Sequence, residues 1–213
     1  MKIAALAAYR TLFWDFDGVI KDSVAVKTQA YERFFAPFGA SVAARVRAHH
    51  EKNGGMSRYD KFPLYLEWAG QSTSADAVAR YCERFSDAVM QAVIDSPWVR
   101  GAREYLEANC RRQCFVIVTG TPQEEIEDIL RVLGIRECFL EVHGAPTSKV
   151  DAVAAVLRQQ GCASQDALLI GDSDSDYQAA RANGVAFLLR RTALNQSLQR
   201  LHGGLQCEDF LDG

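Results

Sequence analysis

The sequence contains no C-x-x-C pair, no excess of positive charge and no apolar run of the ~20 residues needed to span a bilayer. Each absence excludes a class of protein. The six cysteines, Cys82, Cys110, Cys114, Cys138, Cys162 and Cys207, are scattered. That spacing argues against a zinc site and predicts reduced, mostly buried thiols in a cytoplasmic protein. Lys and Arg total 24 against 27 Asp and Glu, a net charge of −3. A broad basic surface for nucleic acid is thereby excluded. The missing apolar run predicts no membrane partner. Only five prolines and fifteen glycines occur, and there is no low-complexity segment or internal repeat, so no long linker is expected. The apolar start, Met1 to Ala8, is short and meets Tyr9 and Arg10 at once. It is a poor secretory leader and is expected to stay with the chain.

What is present is an ordinary globular composition: 213 residues, 48% hydrophobic and 24% charged. Such a chain can bury a sizeable core without disulfides or a structural metal.

The first strong element is Thr11–Asp15, apolar and aromatic enough for a buried strand. Ser23 is placed to cap a helix running to about Pro37, with Val26, Ala30, Phe34 and Phe38 on its inner face. Helical patterns follow over about Val42–Lys52, Tyr59–Ala69 and Ser74–Ile94. Beyond Pro97 the rhythm changes. Helices are expected at Gly101–Asn109, Pro122–Leu133, Val150–Gln160, Asp176–Asn183 and Leu194–Leu201. Strands are expected at Cys114–Val118, Phe139–Val142, Ala167–Ile170 and Ala186–Leu189. Strands alternating with helices predict an α/β fold, a doubly wound parallel sheet covered on both faces. The expected organisation is a core from residues 1–21 and 98–213, interrupted by a helical insertion over 22–97, with a hinge near Pro97.

Charge divides unevenly between these parts. Residues 21–97 carry ten Lys/Arg and nine Asp/Glu, whereas the remainder carries 14 and 18. Arg45, Arg47, Lys52, Arg58 and Lys61 cluster within the insertion, which favours a small anionic ligand. His49 and His50 beside them are read as solvated.

Four short segments carry the chemistry. Asp15 and Asp17 follow the first strand, where ligands of open parallel sheets bind, and their oxygens suit a hard cation such as Mg2+. Thr119, Gly120 and Thr121 follow the second strand, where a hydroxyl and backbone N–H groups can hold a phosphate oxygen. Lys149 follows Ser148 at a helix start. Gly144–Lys149 superficially resembles a P-loop but lacks the glycine before the lysine. Gly171, Asp172, Ser173, Asp174 and Asp176 follow another apolar strand, and such carboxylates repel one another unless a cation compensates them. Singly, each segment has a plain structural reading: an acidic turn, a helix cap, a solvated lysine.

Together and in this order, Phe13-Trp14-Asp15-Phe16-Asp17-Gly18-Val19-Ile20, then Thr119, then Lys149, then Gly171-Asp172-Ser173, the motifs resemble the haloacid dehalogenase-like hydrolases. The resemblance spans essentially the whole chain. It implies a Rossmann-like core with a mobile helical cap and a Mg2+-dependent phosphatase acting on a small phosphorylated metabolite. It implies Asp15 as nucleophile, Asp17 as acid and base, and Thr119 and Lys149 on the phosphoryl group. Mg2+ is expected on Asp15, Asp172 and the Asp17 backbone carbonyl, with Asp176 and Ser173 supporting. Asp17 favours a phosphate ester, since dehalogenases lack that aspartate. Lys27, in the first insertion helix, keeps phosphonate cleavage open. Gly55-Met56-Ser57-Arg58 is similar to the Gly-Val-Ser-Arg loop of β-phosphoglucomutases, which places Gly55, Ser57 and Arg58 near substrate with Gly120 opposite. Lys27 in place of a histidine, and Gly171-Asp172 in place of Glu-Asp, fit phosphoglycolate-phosphatase-like enzymes better. A sugar phosphomutase and a catalytically silent binding module are the alternatives. The expected assembly is a monomer or homodimer.

Overall fold

The computed structural model describes residues 3–211. Six parallel strands form one sheet: β1 (Thr11–Trp14), β2 (Cys114–Pro122), β3 (Glu141–Ala145), β4 (Ala167–Gly171), β5 (Ala186–Arg190) and β6 (Leu205–Cys207). Their order is β3-β2-β1-β4-β5-β6. The central strands read as continuous apolar runs because both faces of a parallel sheet are covered. Leu12, Trp14, Ile117 and Ile170 enter one core cluster, while Phe13, Val116, Val118 and Leu169 enter the cluster on the opposite face. The chain winds outward from β1 through β2 to β3, then returns to the other side of β1 with β4. The carboxyl ends of β1 and β4 therefore flank a topological switch point, where such sheets bind ligands.

Core helices α5 (Ala102–Asn109), α6 (Gln123–Val132), α7 (Lys149–Gln159), α8 (Asp174–Asn183) and α9 (Gln196–Leu201) make the crossovers. Between β1 and α5 lie four helices without a strand: α1 (Val24–Phe35), α2 (Ala40–Lys52), α3 (Arg58–Trp68) and α4 (Ala75–Asp95). The fold is the expected one, a Rossmann-like sheet with a helical insertion. The insertion has an aromatic centre, in which Tyr31 stacks on Phe85 at 4.1 Å and Phe35, Phe62 and Tyr65 surround them. Its two connections to the sheet run side by side, with Asp22 N–H donating to Pro97 O at 2.8 Å and Lys21 bridging Trp98.

Several local expectations differ from the structure. The buried face of α1 is Lys27, Thr28, Tyr31 and Phe35, about one position on from the expected stripe. Ala30, Phe34 and Phe38 only pack against its edge. The rotation follows from Lys27, which is drawn inward by a carboxylate described below. β2 continues through Thr119, Gly120 and Thr121, and Pro122 begins no helix but stands just before α6. β3 starts later than expected because Arg136–Cys138 forms a 3-10 turn. The three-residue edge strand β6 is too short to leave a periodic signal. All six cysteines are free, but only Cys82 and Cys207 are buried and the other four are half-buried. Residues 3–8 form a 3-10 helix whose Leu6 is buried, while Met1 and Lys2 lie outside the described residues. Among the described residues, no helix is long and apolar enough to cross a membrane.

Candidate active site

Asp15 is the first residue beyond β1, and its N–H continues the sheet by donating to Ile170 O at 2.9 Å. Its side chain is thereby fixed at the switch point. Lys149, the first residue of α7, reaches the same point. Its ammonium lies 3.0 Å from Asp15 Oδ2 and donates to Asp176 Oδ1 at 2.6 Å. A lysine at a helix start is ordinarily solvated, yet this one is 7% exposed because two carboxylates converge on it. Burial lowers a lysine's pKa, but Asp15 and then Asp176 outweigh burial and hold Lys149 above its ordinary value.

Asp15, Asp172 and Asp176 bring carboxylate oxygens within 4.8 Å of one another. Burial, then Asp176, pushes Asp15 up to about 7 despite Lys149. Burial, then Asp15 and Asp176, raises Asp172 well above the carboxylate range. Asp176 is already committed, because its Oδ2 accepts from Ser173 N at 3.1 Å and Ser173 Oγ at 2.5 Å. Asp15 and Asp172 are the pair left for a cation, and their charge and hard oxygens fit Mg2+. Asn195 supports this loop by donating to Asp172 O at 2.7 Å. Gly18 is required here. Its φ of +79° is disfavoured for other residues, and a Cβ would stand 2.1 Å from Asp172 Oδ2.

The Asp17 side chain stands outside that cluster. Its Oδ1 accepts from Ser23 Oγ at 2.5 Å, and its Oδ2 accepts from Lys27 Nζ and from Thr121 Oγ1 at 3.1 Å. Lys27 also donates to Thr121 Oγ1 at 2.8 Å. Ser23 thus makes no side-chain cap for α1 and holds Asp17 instead. Burial opposes ionisation of Asp17, but the Lys27 ammonium and the three hydrogen bonds outweigh it and hold its pKa below the ordinary value. Thr119, two residues before Thr121 and on the same side of β2, is buried, and its Oγ1 accepts from Thr121 N at 3.3 Å. The sequence marks Ser23 only as a helix cap and Thr121 only as part of the segment after β2, and their shared role in holding Asp17 is not legible there. The alternation of Thr119 and Thr121 along one strand was the available signal.

The loop between α2 and α3 descends onto these motifs. A Cβ on Gly55 would meet Ser175 Oγ at 2.1 Å and Ser173 Oγ at 2.3 Å. Only glycine allows this approach with those hydroxyls in place. One on Gly120 would lie 3.0 Å from Gly55 O. Ser57 caps α3, accepting from Tyr59 N at 3.2 Å. Arg58 is not free to hold a substrate anion in this arrangement. Its guanidinium donates to Glu125 Oε1 of α6 at 2.8 Å and to Ser86, which itself donates to Glu125 Oε2 at 2.6 Å. Arg58 and Glu125 are both buried and tie the insertion to the core. Breaking such a pair leaves one charge buried alone, at about 3–5 kcal/mol. Arg58→Ala and Glu125→Ala are each expected to lose that much in urea unfolding, and the double variant less than their sum.

The basic cluster within 45–61 divides, with Lys52, Arg58 and Lys61 on the cavity between insertion and core and Arg45 and Arg47 away from it. Arg45 stacks on Trp68 at 3.9 Å, and Arg47 pairs with Glu32 and Glu51 at the surface. His50 is buried rather than solvated, with its ring 4.5 Å from that of Tyr31. His49 is half-buried and its Nδ1 lies 2.9 Å from the Tyr65 hydroxyl. Asp15, Asp17, Lys27, Arg58, Lys61, Thr119, Lys149 and Asp172 all line one cavity of about 640 Å3 between insertion and core.

Three carboxylates and a buried lysine thus converge at the switch point of the parallel sheet. The sequence matches the haloacid dehalogenase-like hydrolase family model over residues 12–189, and the chain belongs to that family. Comparison with curated proteins finds no match. Among solved structures, CbbY from Rhodobacter sphaeroides in complex with phosphate is similar, with a TM-score of 0.75, 14% identity and 95% of each chain covered. A protein assigned as a phosphoglycolate phosphatase from Lactobacillus plantarum superposes with a TM-score of 0.74 at 20% identity, over 96% of this chain and 97% of that one. A hydrolase from Pseudomonas syringae gives 0.74 at 19% identity, covering 95% of each chain. At these identities the likeness is one of fold.

Proposed function

We propose that the protein is a Mg2+-dependent phosphomonoesterase acting on a small phosphorylated metabolite, with residues 22–97 as a cap over a core of 1–21 and 98–213. The observation that carries this reading is the 3.0 Å contact between Asp15 and Lys149 beside Asp172, all facing one cavity. In this reading an Asp15 carboxylate oxygen attacks phosphorus, and the bond to the ester oxygen breaks. Asp17 gives that oxygen a proton, then takes one from the water that attacks the aspartyl phosphate. Inorganic phosphate leaves and Asp15 is restored. The hydrogen bonds to Asp17 favour its ionised form, so it must gain a proton before the ester oxygen departs. Lys149 and Thr119 meet the phosphoryl oxygens, and Asp176 with Ser173 holds Lys149 in place. Asp15, Asp172 and the Asp17 backbone carbonyl would hold Mg2+, which would further neutralise charge on the phosphoryl group.

CbbY has also been solved, as a mutant, with xylulose-(1,5)bisphosphate, which supports a phosphorylated ligand for the shared fold. The mutase alternative rested on the Gly55–Arg58 loop, and the commitment of Arg58 to Glu125 gives it no support. Phosphate release from a panel of phosphorylated metabolites, with and without EDTA, tests the proposal. Release that stops in EDTA and returns with Mg2+ is expected. Undiminished release in EDTA contradicts the metal assignment, and isomer formation without net phosphate points to the mutase.

A further inference from the structure

Four buried cations line the cavity: Lys27, Arg58, Lys61 and Lys149. Three of them have carboxylate partners, respectively Asp17, Glu125, and Asp15 with Asp176. Lys61 has none among the described residues. It projects from α3 and is 1% exposed. Its ammonium contacts only neutral groups: His50 Nδ1 at 3.0 Å, Gly54 O at 3.2 Å and the face of the Tyr31 ring, whose centre is 5.6 Å away. Burial, then Lys61 itself, holds the His50 pKa well below its ordinary value, so the ring is neutral, and toward a protonated Lys61 its Nδ1 accepts. An ammonium has three N–H donors, and two are accounted for.

A buried cation with no carboxylate in contact is costly, and the nearby Lys27 charge adds to the cost. Burial, then Lys27, pushes Lys61 down to about 7, and Asp17, already paired with Lys27, opposes them only in part. A ligand that brings negative charge to this position offsets that cost. The cavity Lys61 faces is the one that holds Asp15, and at about 640 Å3 it has room for a metabolite longer than phosphate alone.

We propose that Lys61 is a specificity residue that pairs with a second anionic group, a carboxylate or a further phosphate, on the part of the substrate that leaves Asp15. This rests on the phosphatase reading and narrows its substrate class to phosphate esters that carry a second anionic group. It moves the anion-binding role expected of Arg58 one helical turn along α3. A neutral leaving group would leave Lys61 buried and unpaired, so discrimination comes as much from rejecting the wrong ligand as from holding the right one.

Binding of unreactive phosphonates, measured by calorimetry in Mg2+, tests it without requiring turnover. The probes are ethylphosphonate, phosphonoacetate and ethylenebisphosphonate. The wild-type protein is expected to bind phosphonoacetate or ethylenebisphosphonate about 100-fold more tightly than ethylphosphonate, a preference typical of a desolvated charge pair. Which of the two binds tighter distinguishes carboxylate from phosphate. Lys61→Met, of similar length and without charge, is expected to lose most of that ratio, and Lys61→Arg to retain part of it. Equal binding of all three by the wild type overturns the inference, whatever the variants do. So does a Lys61→Met protein that folds and keeps the full ratio. Phosphate release by the wild type from the corresponding esters reads the phosphatase assignment separately.

Discussion

Asp15→Asn is expected to lower turnover by about 10^4-fold or more, since it removes the group that forms the bond to phosphorus. The loss is expected without unfolding. Asp15 sits beside Asp172 and Asp176, and burial with Asp176 pushes its carboxyl up to about 7, so its charge is a burden on the fold when no cation is bound. Asparagine keeps the shape and removes that burden. The variant is therefore expected to melt in EDTA at or above the wild-type temperature while releasing no phosphate. A fully active Asp15→Asn protein would place the chemistry elsewhere.

Mg2+ affinity is expected to rise steeply with pH, with Kd falling up to tenfold per unit for each proton displaced. The cause is the state of the two candidate ligands. Asp15 titrates near 7 and Asp172 well above its ordinary range in the folded chain, whereas both titrate near 4 when unfolded. From about pH 4 to 7 the folded chain thus holds more protons than the unfolded one, and its stability without metal falls as pH rises through that window. A bound cation expels those protons and is expected to flatten the slope. Calorimetry in buffers of different ionisation heat would read the protons released. An affinity independent of pH between about 5.5 and 7.5 would contradict this assignment of ligands.

The sheet and the motif order were legible because they are local. Apolar runs four or five residues long mark β1 and β4, and an aspartate follows each at its carboxyl end. The partners of those residues were not legible, because they come from distant parts of the chain. Thr121 meets Asp17 across 104 positions, and Arg58 meets Glu125 across 67. The loop containing Arg58 signalled an anion, but the anion is a protein carboxylate. Lys149 looked like a surface lysine until α7 and α8 brought Asp176 to it. Lys61 was one of five basic residues in a cluster, and only the packing of α3 against α1 and α2 separates it from Arg45 and Arg47, which face outward.

The central claim is that phosphate passes through Asp15. Acid quench of the enzyme during turnover of a metabolite ester it hydrolyses, followed by peptide mass spectrometry, measures this directly. The expected result is one phosphoryl group on the peptide carrying Asp15, absent from Asp15→Asn. Rapid phosphate release with no phosphoryl group on that peptide, or with the group on another residue, would contradict it.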